Sequence, residues 1–280
     1  MRVRALLLLL FAWSLIAPAY GQTPGVIDHP GKIGVGAWPS GGEGRMLADV
    51  DRLGAAWFYD WLPGLQAEDP RFVPMIWGGK DMARAKQVEH GILLTFNEPD
   101  HPQQSAMSVD AALGYWPGLM AMGRRLGSPA TTTWQEVGER SWLGRFMKGA
   151  AERGYRVDFI AVHYYAATPD ISAFKAYLER VHRVYGKPIW VTEWALADWK
   201  NPGRFTPAEQ AEFLTAGANM LDDLDYVERQ AWFGLYEGLG GWKLGSGLVE
   251  PTGELSAVGE AYRRLFDADH ERRAASSLSP

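Results

Sequence analysis

The sequence predicts an α/β chain folded as a single (β/α)8 barrel, with some short or missing helices in its first third. Three observations lead there. Eight short β-rich segments recur from end to end, at 32–38, 54–60, 72–77, 91–97, 128–133, 158–163, 188–193 and 228–234. Amphipathic stretches at 105–126, 139–154, 171–185, 207–224 and 255–266 follow most of the segments, the alternation expected of parallel βα units. Eight such units closing on themselves make a barrel. No Gly-rich phosphate loop follows the first segment, because Gly41, Gly42 and Gly44 match neither the GxGxxG nor the P-loop spacing. That argues against the main alternative, an open doubly wound sheet. The first third is thin, since only residues 61–71 separate the second and third segments, too few for a full packed helix.

Before the first segment, residues 1–21 read as a signal peptide. Arg2 and Arg4 precede the apolar run from Ala5 to Ala12, and small residues follow around Ala17, Ala19 and Gly21. The run to Ile16 is shorter than the ~20 apolar residues of a spanning helix. The mature chain is therefore expected to begin near Gln22, an uncleaved anchor being the alternative. Every later hydrophobic stretch is broken by charge, Gly or Pro, so no membrane association is expected after cleavage. Residues 22–266 contain no Ser/Gly/Pro-rich linker and read as one catalytic domain, and 267–280 as a polar, disordered tail. The chain has no cysteine, so its fold rests on neither disulfides nor thiolate metal sites. A secreted or periplasmic bacterial protein, monomeric, fits these features.

The net charge of −5 is mild and Lys and Arg are scattered, which excludes the basic stripe of a nucleic-acid binder. More informative are 13 Trp beside 11 Tyr, of which Trp13 belongs to the leader. Flat aromatic faces suit the C–H faces of sugar rings, although large aromatics also fill cores.

In a barrel, strand ends point to the C-terminal face where catalysis sits. The fourth segment runs through Asn97 into Glu98, Pro99 and Asp100, and the seventh ends at Glu193 followed by Trp194. Strands four and seven face each other across the barrel mouth, so two carboxylates there can address one bond. A retaining glycosidase needs that pair: one carboxylic acid protonates the leaving oxygen while the other, ~5–5.5 Å away, attacks the anomeric carbon. Mutual repulsion and partial burial are expected to raise the acid's pKa toward the working range. Taken singly, either Glu has a plainer reading, a helix cap for Glu98 and an Arg partner for Glu193.

Neighbouring residues extend the site. Asn97 can bond a sugar 2-hydroxyl, or serve as a turn amide. His163 and Tyr165 end the sixth strand, where they can orient Glu193 and hold it ionised; a core histidine is the other reading of His163. Trp57, Tyr59 and Trp61 alternate along and past strand two, Trp77 ends strand three, and Trp194 and Trp232 sit on the last two strands. About half of these read as packing, whereas Trp199 and Trp242, in loops, read as exposed platforms. There is no HExxH pair for a metal and no Gly-x-Ser-x-Gly for an esterase.

Phe96-Asn-Glu-Pro-Asp100 and Val191-Thr-Glu-Trp194 resemble the paired signatures of clan A glycoside hydrolases. More narrowly, the chain resembles glycoside hydrolase family 128, β-1,3-glucanases of the glycosyl hydrolase catalytic core type. The resemblance is carried by Trp57-x-Tyr59-x-Trp61, Val73-Pro-Met-Ile-Trp77-Gly78, Asn97-Glu-Pro-Asp100, Gly127-Ser-Pro129, Val157 through His163-x-Tyr165, Pro188 through Glu193, and Trp232-Phe-Gly234, in the family order. It implies retaining hydrolysis of internal β-1,3-glucosidic bonds in a β-glucan polysaccharide or oligosaccharide. Glu98 matches the general acid/base and Glu193 the nucleophile, and no cofactor is implied. The match is looser before Trp57 and at Trp194-Ala195, which leaves subsite lengths, and so endo versus exo action, open. Another clan A activity, β-mannanase or xylanase, would use the same pair. A non-catalytic glucan-binding envelope protein would have lost or displaced one Glu, and both are in place.

Overall fold

A strand buried between a filled barrel and a coat of helices must be apolar on both faces, and the strands here are. The computed structural model describes residues 30–87, 91–122 and 124–266. The leader expected at 1–21 and the tail expected at 267–280 lie outside the described residues. Eight strands run in chain order: β1 (Ile33–Gly36), β2 (Trp57–Tyr59), β3 (Met75–Ile76), β4 (Ile92–Asn97), β5 (Arg125–Ala130), β6 (Ile160–Ala166), β7 (Ile189–Leu196) and β8 (Val227–Phe233). Every residue of β1, β2, β3 and β7 is buried.

All named strand pairs are parallel, in a five-stranded sheet ordered β2-β1-β8-β7-β6 and a three-stranded sheet ordered β3-β4-β5. Single parallel bridges, Phe58 to Phe72 and Gly127 to Phe159, join the two sheets at both seams. The first strand pairs with the last, so the order around the ring is the chain order, as in a (β/α)8 barrel.

The inward stripe of alternate residues fills the barrel with aromatics. Trp190 lies 4.5 Å from Phe159 and 5.2 Å from Trp57, ring centre to ring centre, and Tyr59 continues the stack above Trp57. The outward stripe packs under α1 (Glu43–Leu53), α2 (Val109–Met120), α3 (Trp142–Glu152), α4 (Ile171–Tyr185), α5 (Pro207–Asp222) and a last helix over 257–266. Ser108, Ser141, Asp170 and Thr206 cap α2 to α5 by accepting bonds from backbone N–H groups of the first turn. Among the described residues no helix is long and apolar enough to cross a membrane.

Three elements differ from the sequence reading. Helix α1, not expected, follows Gly42 and ends on Gly54, whose φ of 74° is the left-handed cap that glycine adopts freely. Strand β5 begins at Arg125, opposite Ile92, and has ended by 131, so it lies three residues before the expected span. Helix α2 is correspondingly shorter than 105–126, closing at Met120 just after Pro117 and Gly118. Between β2 and β3 there is no helix, as the short connection required, and β3 is followed only by a 3-10 stretch over Gly79–Gln87.

Helix α5 approaches the barrel at Gly217, where an added Cβ would stand 2.4 Å from the Trp194 indole. Both groups are buried, so the ring has nowhere to retreat. Gly217→Ala is expected to cost about 1–3 kcal/mol, read as a lowered thermal midpoint. An unchanged midpoint would contradict this packing.

Candidate active site

Strict alternation along β7 from Trp190, which faces the interior, would send Glu193 outward to the helices. The strand breaks that rule. Against β6, Val191 pairs with Val162 and Glu193 with His163, so Thr192 is an extra residue, and the same shift recurs against β8 before Trp194. This bulge turns Glu193 into the barrel mouth and Trp194 out of it. Strand β4 is irregular in the same way, with register shifts between Leu93 and Asn97. Phe96 and Glu98 have φ of 27° and 39°, a left-handed backbone that costs a side-chain-bearing residue about 1–3 kcal/mol. The distortion aims both Asn97 and Glu98 into the cleft.

That cleft, about 870 Å³, opens at the C-terminal ends of the strands. Glu98, His163 and Glu193 each bring one atom within 4.8 Å of the other two. The His163 ring is fully buried; its Nδ1 lies 2.9 Å from Glu98 Oε1 and its Nε2 3.4 Å from Glu193 Oε1, where it makes no hydrogen bond. Trp61 Nε1 donates to Glu193 Oε1 at 2.9 Å and the Tyr165 hydroxyl to Oε2 at 2.6 Å. Tyr59, 3.4 Å from Oε1, makes its shorter bond of 2.8 Å to the Thr192 carbonyl, pinning the bulge.

Burial raises the Glu193 carboxyl above its ordinary range and the like charge of Glu98 adds to this, while His163, Tyr165 and Trp61 pull it down. Burial alone would lower His163, but the charges of Glu193 and Glu98 outweigh it and the ring is raised. Burial and the neighbouring Glu193 charge hold Tyr59 and Tyr165 far above a phenol's usual value, so both remain donors. On Glu193 burial is the largest cause, its side chain being only 7% exposed.

Of the residues singled out in the sequence, Trp61, Trp77, Asn97, Glu98, Tyr165 and Glu193 line the cleft, as do the loop aromatics Trp199 and Trp242, 44% and 40% exposed. Tyr59 and His163 touch the carboxylates from beneath and do not face the cleft. Trp194 and Trp232 correct the expectation of sugar contact. Both are fully buried on the helix side, 4.7 Å apart, with their Nε1 atoms spent on Gln230 and the Ser246 carbonyl. The bulge at Thr192 is the reason for Trp194. Sequence reading missed Trp38, Asp60, Gln104, Thr132 and Thr133, which also line the cleft. Trp38 had a visible signal, an aromatic closing the first strand segment like Trp77 closing the third. Asn97 Nδ2 donates to Gln104 at 3.3 Å and its buried Oδ1 has no partner.

The two Glu and His163 are also the residues that could hold a metal ion among those described. Their bonding suits proton traffic better. One ring nitrogen is engaged with Glu98, and both oxygens of Glu193 already accept from N–H or O–H groups.

The glycosyl hydrolase catalytic core family model matches residues 37–262. An endo-β-1,3-glucanase of glycoside hydrolase family 128, subgroup I, from Amycolatopsis mediterranei, solved with laminarihexaose, is similar at 40% identity and a TM-score of 0.73, over 83% of this chain and 98% of that one. A subgroup III curdlan-specific exo-β-1,3-glucanase from Blastomyces gilchristii, solved with glucose, is similar at 28% identity and a TM-score of 0.66, over 86% and 99% of the two chains. Alkali-sensitive linkage protein 1 of Schizosaccharomyces pombe is 31% identical over 245 residues, 83% of this chain and 44% of that protein, so the chain spans under half the length of this curated relative.

Two further acids near the mouth carry a pH signature. Burial pushes Asp60 from 3.8 to about 7 and Glu136 from 4.5 to about 7, against hydrogen bonds that favour their charged forms. Between the unfolded values and about 7 the folded state binds more protons, so these groups make stability fall as pH rises through that window and contribute no further slope above it. Denaturant unfolding at pH 4.5, 6 and 7.5 should show Asp60→Asn with Glu136→Gln stabilised relative to wild type, increasingly toward pH 7.5, by up to a few kcal/mol. Parallel curves for the two proteins would contradict the assignment.

Proposed function

The chain belongs to the glycosyl hydrolase catalytic core family, and we propose that it is a retaining endo-β-1,3-glucanase with Glu98 as general acid/base and Glu193 as nucleophile. One observation carries the mechanism. The two Glu carboxylates present oxygens within 4.8 Å of each other, close enough for both to address one glycosidic bond as the ~5–5.5 Å pair of a retaining enzyme does.

Glu98, the more exposed of the pair, delivers its proton to the glycosidic oxygen while Glu193 bonds to the anomeric carbon and the leaving sugar departs. Glu98 then takes a proton from water as that water displaces Glu193, restoring both groups. Trp61 and Tyr165 fix the attacking carboxylate, which limits the reorganisation needed at the reacting carbon. Beside it, the unpartnered Asn97 Oδ1 is placed to accept from a sugar hydroxyl. Internal cleavage of β-1,3-glucan is favoured by the higher identity to the endo-acting relative than to the exo-acting one, 40% against 28%, and by aromatics that line the cleft from different strand ends, Trp77 after β3 and Trp242 after β8.

Purified protein is expected to release oligosaccharides from linear β-1,3-glucan, but not from β-1,4-mannan or xylan, and proton NMR of the first products should show the β anomer. Glu98→Gln should slow turnover at least ~100-fold and Glu193→Gln should abolish it. First appearance of the α anomer would refute retention; activity only on mannan or xylan would move the substrate; no release from any of the three would favour a binding protein.

We also propose export, supported by the charged and apolar pattern of residues 1–21. Mass spectrometry of protein recovered from the medium or periplasm should give a mature N-terminus near Gln22. Recovery of the full-length chain only in the membrane fraction would favour the anchor.

A further inference from the structure

The wall of the cleft formed by Thr132 and Thr133 does not end at the cleft. The next residue, Trp134, is 59% exposed, the most exposed large hydrophobic side chain among the described residues. Its φ is 79°, a conformation that a bulky side chain rarely adopts. A Trp both strained and in water is doubly unfavourable for folding, which points to a use outside the fold.

The loop that carries it is well anchored. Gln135 N–H donates to the Thr132 carbonyl and Leu143 N–H to the Gln135 carbonyl; Tyr185 and Arg180, from α4, hold the Glu136 and Val137 carbonyls. Tyr177 meets the indole at 81° with ring centres 5.6 Å apart, bracing it from the protein side. Beside Trp134 lies a second hollow of about 510 Å³, separate from the cleft and walled also by Gln135, Glu139 and Arg140, all exposed. These supply donors and acceptors together with opposite charges on neighbouring residues. Such a surface suits a neutral, polyhydroxylated ligand that stacks one sugar ring on the indole.

We propose that Trp134 and its hollow form an auxiliary binding site for β-glucan, outside the catalytic cleft and continuous with its Thr132–Thr133 rim. This rests on the glucanase reading. The site grips a long or particulate chain beyond the residues being cleaved and is not reached by short oligosaccharides.

The test compares Glu193→Gln with Glu193→Gln/Trp134→Ala in depletion binding to insoluble linear β-1,3-glucan, and wild type with Trp134→Ala and Trp134→Phe in hydrolysis of laminaripentaose. Trp134→Ala is expected to weaken polymer binding about five- to tenfold, with kcat/KM on the pentaose within about twofold of wild type. Trp134→Phe should recover most of the binding in the same background. Equal polymer binding with and without the indole would overturn the site, as would a parallel loss on the pentaose, which would place Trp134 within the cleft. If wild type neither binds nor cleaves any β-1,3-glucan, the glucanase reading fails first and the ligand assigned to Trp134 falls with it. Wild-type cleavage with unaltered Trp134→Ala binding sinks the auxiliary site alone.

Discussion

A buried imidazole between two carboxylates organises this molecule. His163 has no access to water, so only protein groups can face its ring. One nitrogen meets Glu98 and the other faces Glu193, while the His163 carbonyl accepts from Thr133 at 3.1 Å and lies 3.5 Å from the Tyr177 hydroxyl. Five elements are tied through one residue: the end of β4, β6, β7, the loop leaving β5 and α4. With two negative groups beside it, the ring favours its protonated form, which offsets part of the repulsion that would otherwise drive the carboxylates apart.

The surrounding protein accepts local strain to keep that cluster together. Trp61, Phe96 and Glu98 all have left-handed backbone, and the bulge at Thr192 interrupts the ladder of β7 on both sides. These costs sit directly above the interior of Trp57, Phe159 and Trp190, buried aromatic rings packed against one another. A well-packed floor is what allows the mouth to be irregular.

Much of this was legible in the sequence because it depends on where a residue falls along a strand. Eight apolar segments in order defined the ring, and a Glu just past the fourth segment and another ending the seventh marked the mouth. The direction a side chain takes was legible only where alternation holds. Trp57, Tyr59 and Trp61 keep the period and could be followed inward. Trp194 could not, since nothing in Val191-Thr-Glu-Trp194 announces that Thr192 is an extra residue. Strand β5 was placed late for a related reason: the expected segment opened only after Gly127, yet Gly127 lies within the strand and is needed where a Cβ would stand 2.6 Å from the Phe159 ring. Helix α1 was hidden by the glycines at its start.

The two seams of the barrel bear on how the protein ages under heat. Glu98 leaves the three-stranded sheet and Glu193 belongs to the five-stranded one, and the seams between them carry shorter ladders: Phe58 and Val73 N–H groups donate to the Arg71 and Phe58 carbonyls at one, Ser128 and Asp158 N–H groups to the Phe159 and Leu126 carbonyls at the other. The distance between the reacting groups is thus set across these two seams. A small parting along either seam would enlarge that gap while leaving most of the core in place. Inactivation by heat therefore has a local route open to it, well before the chain as a whole comes apart.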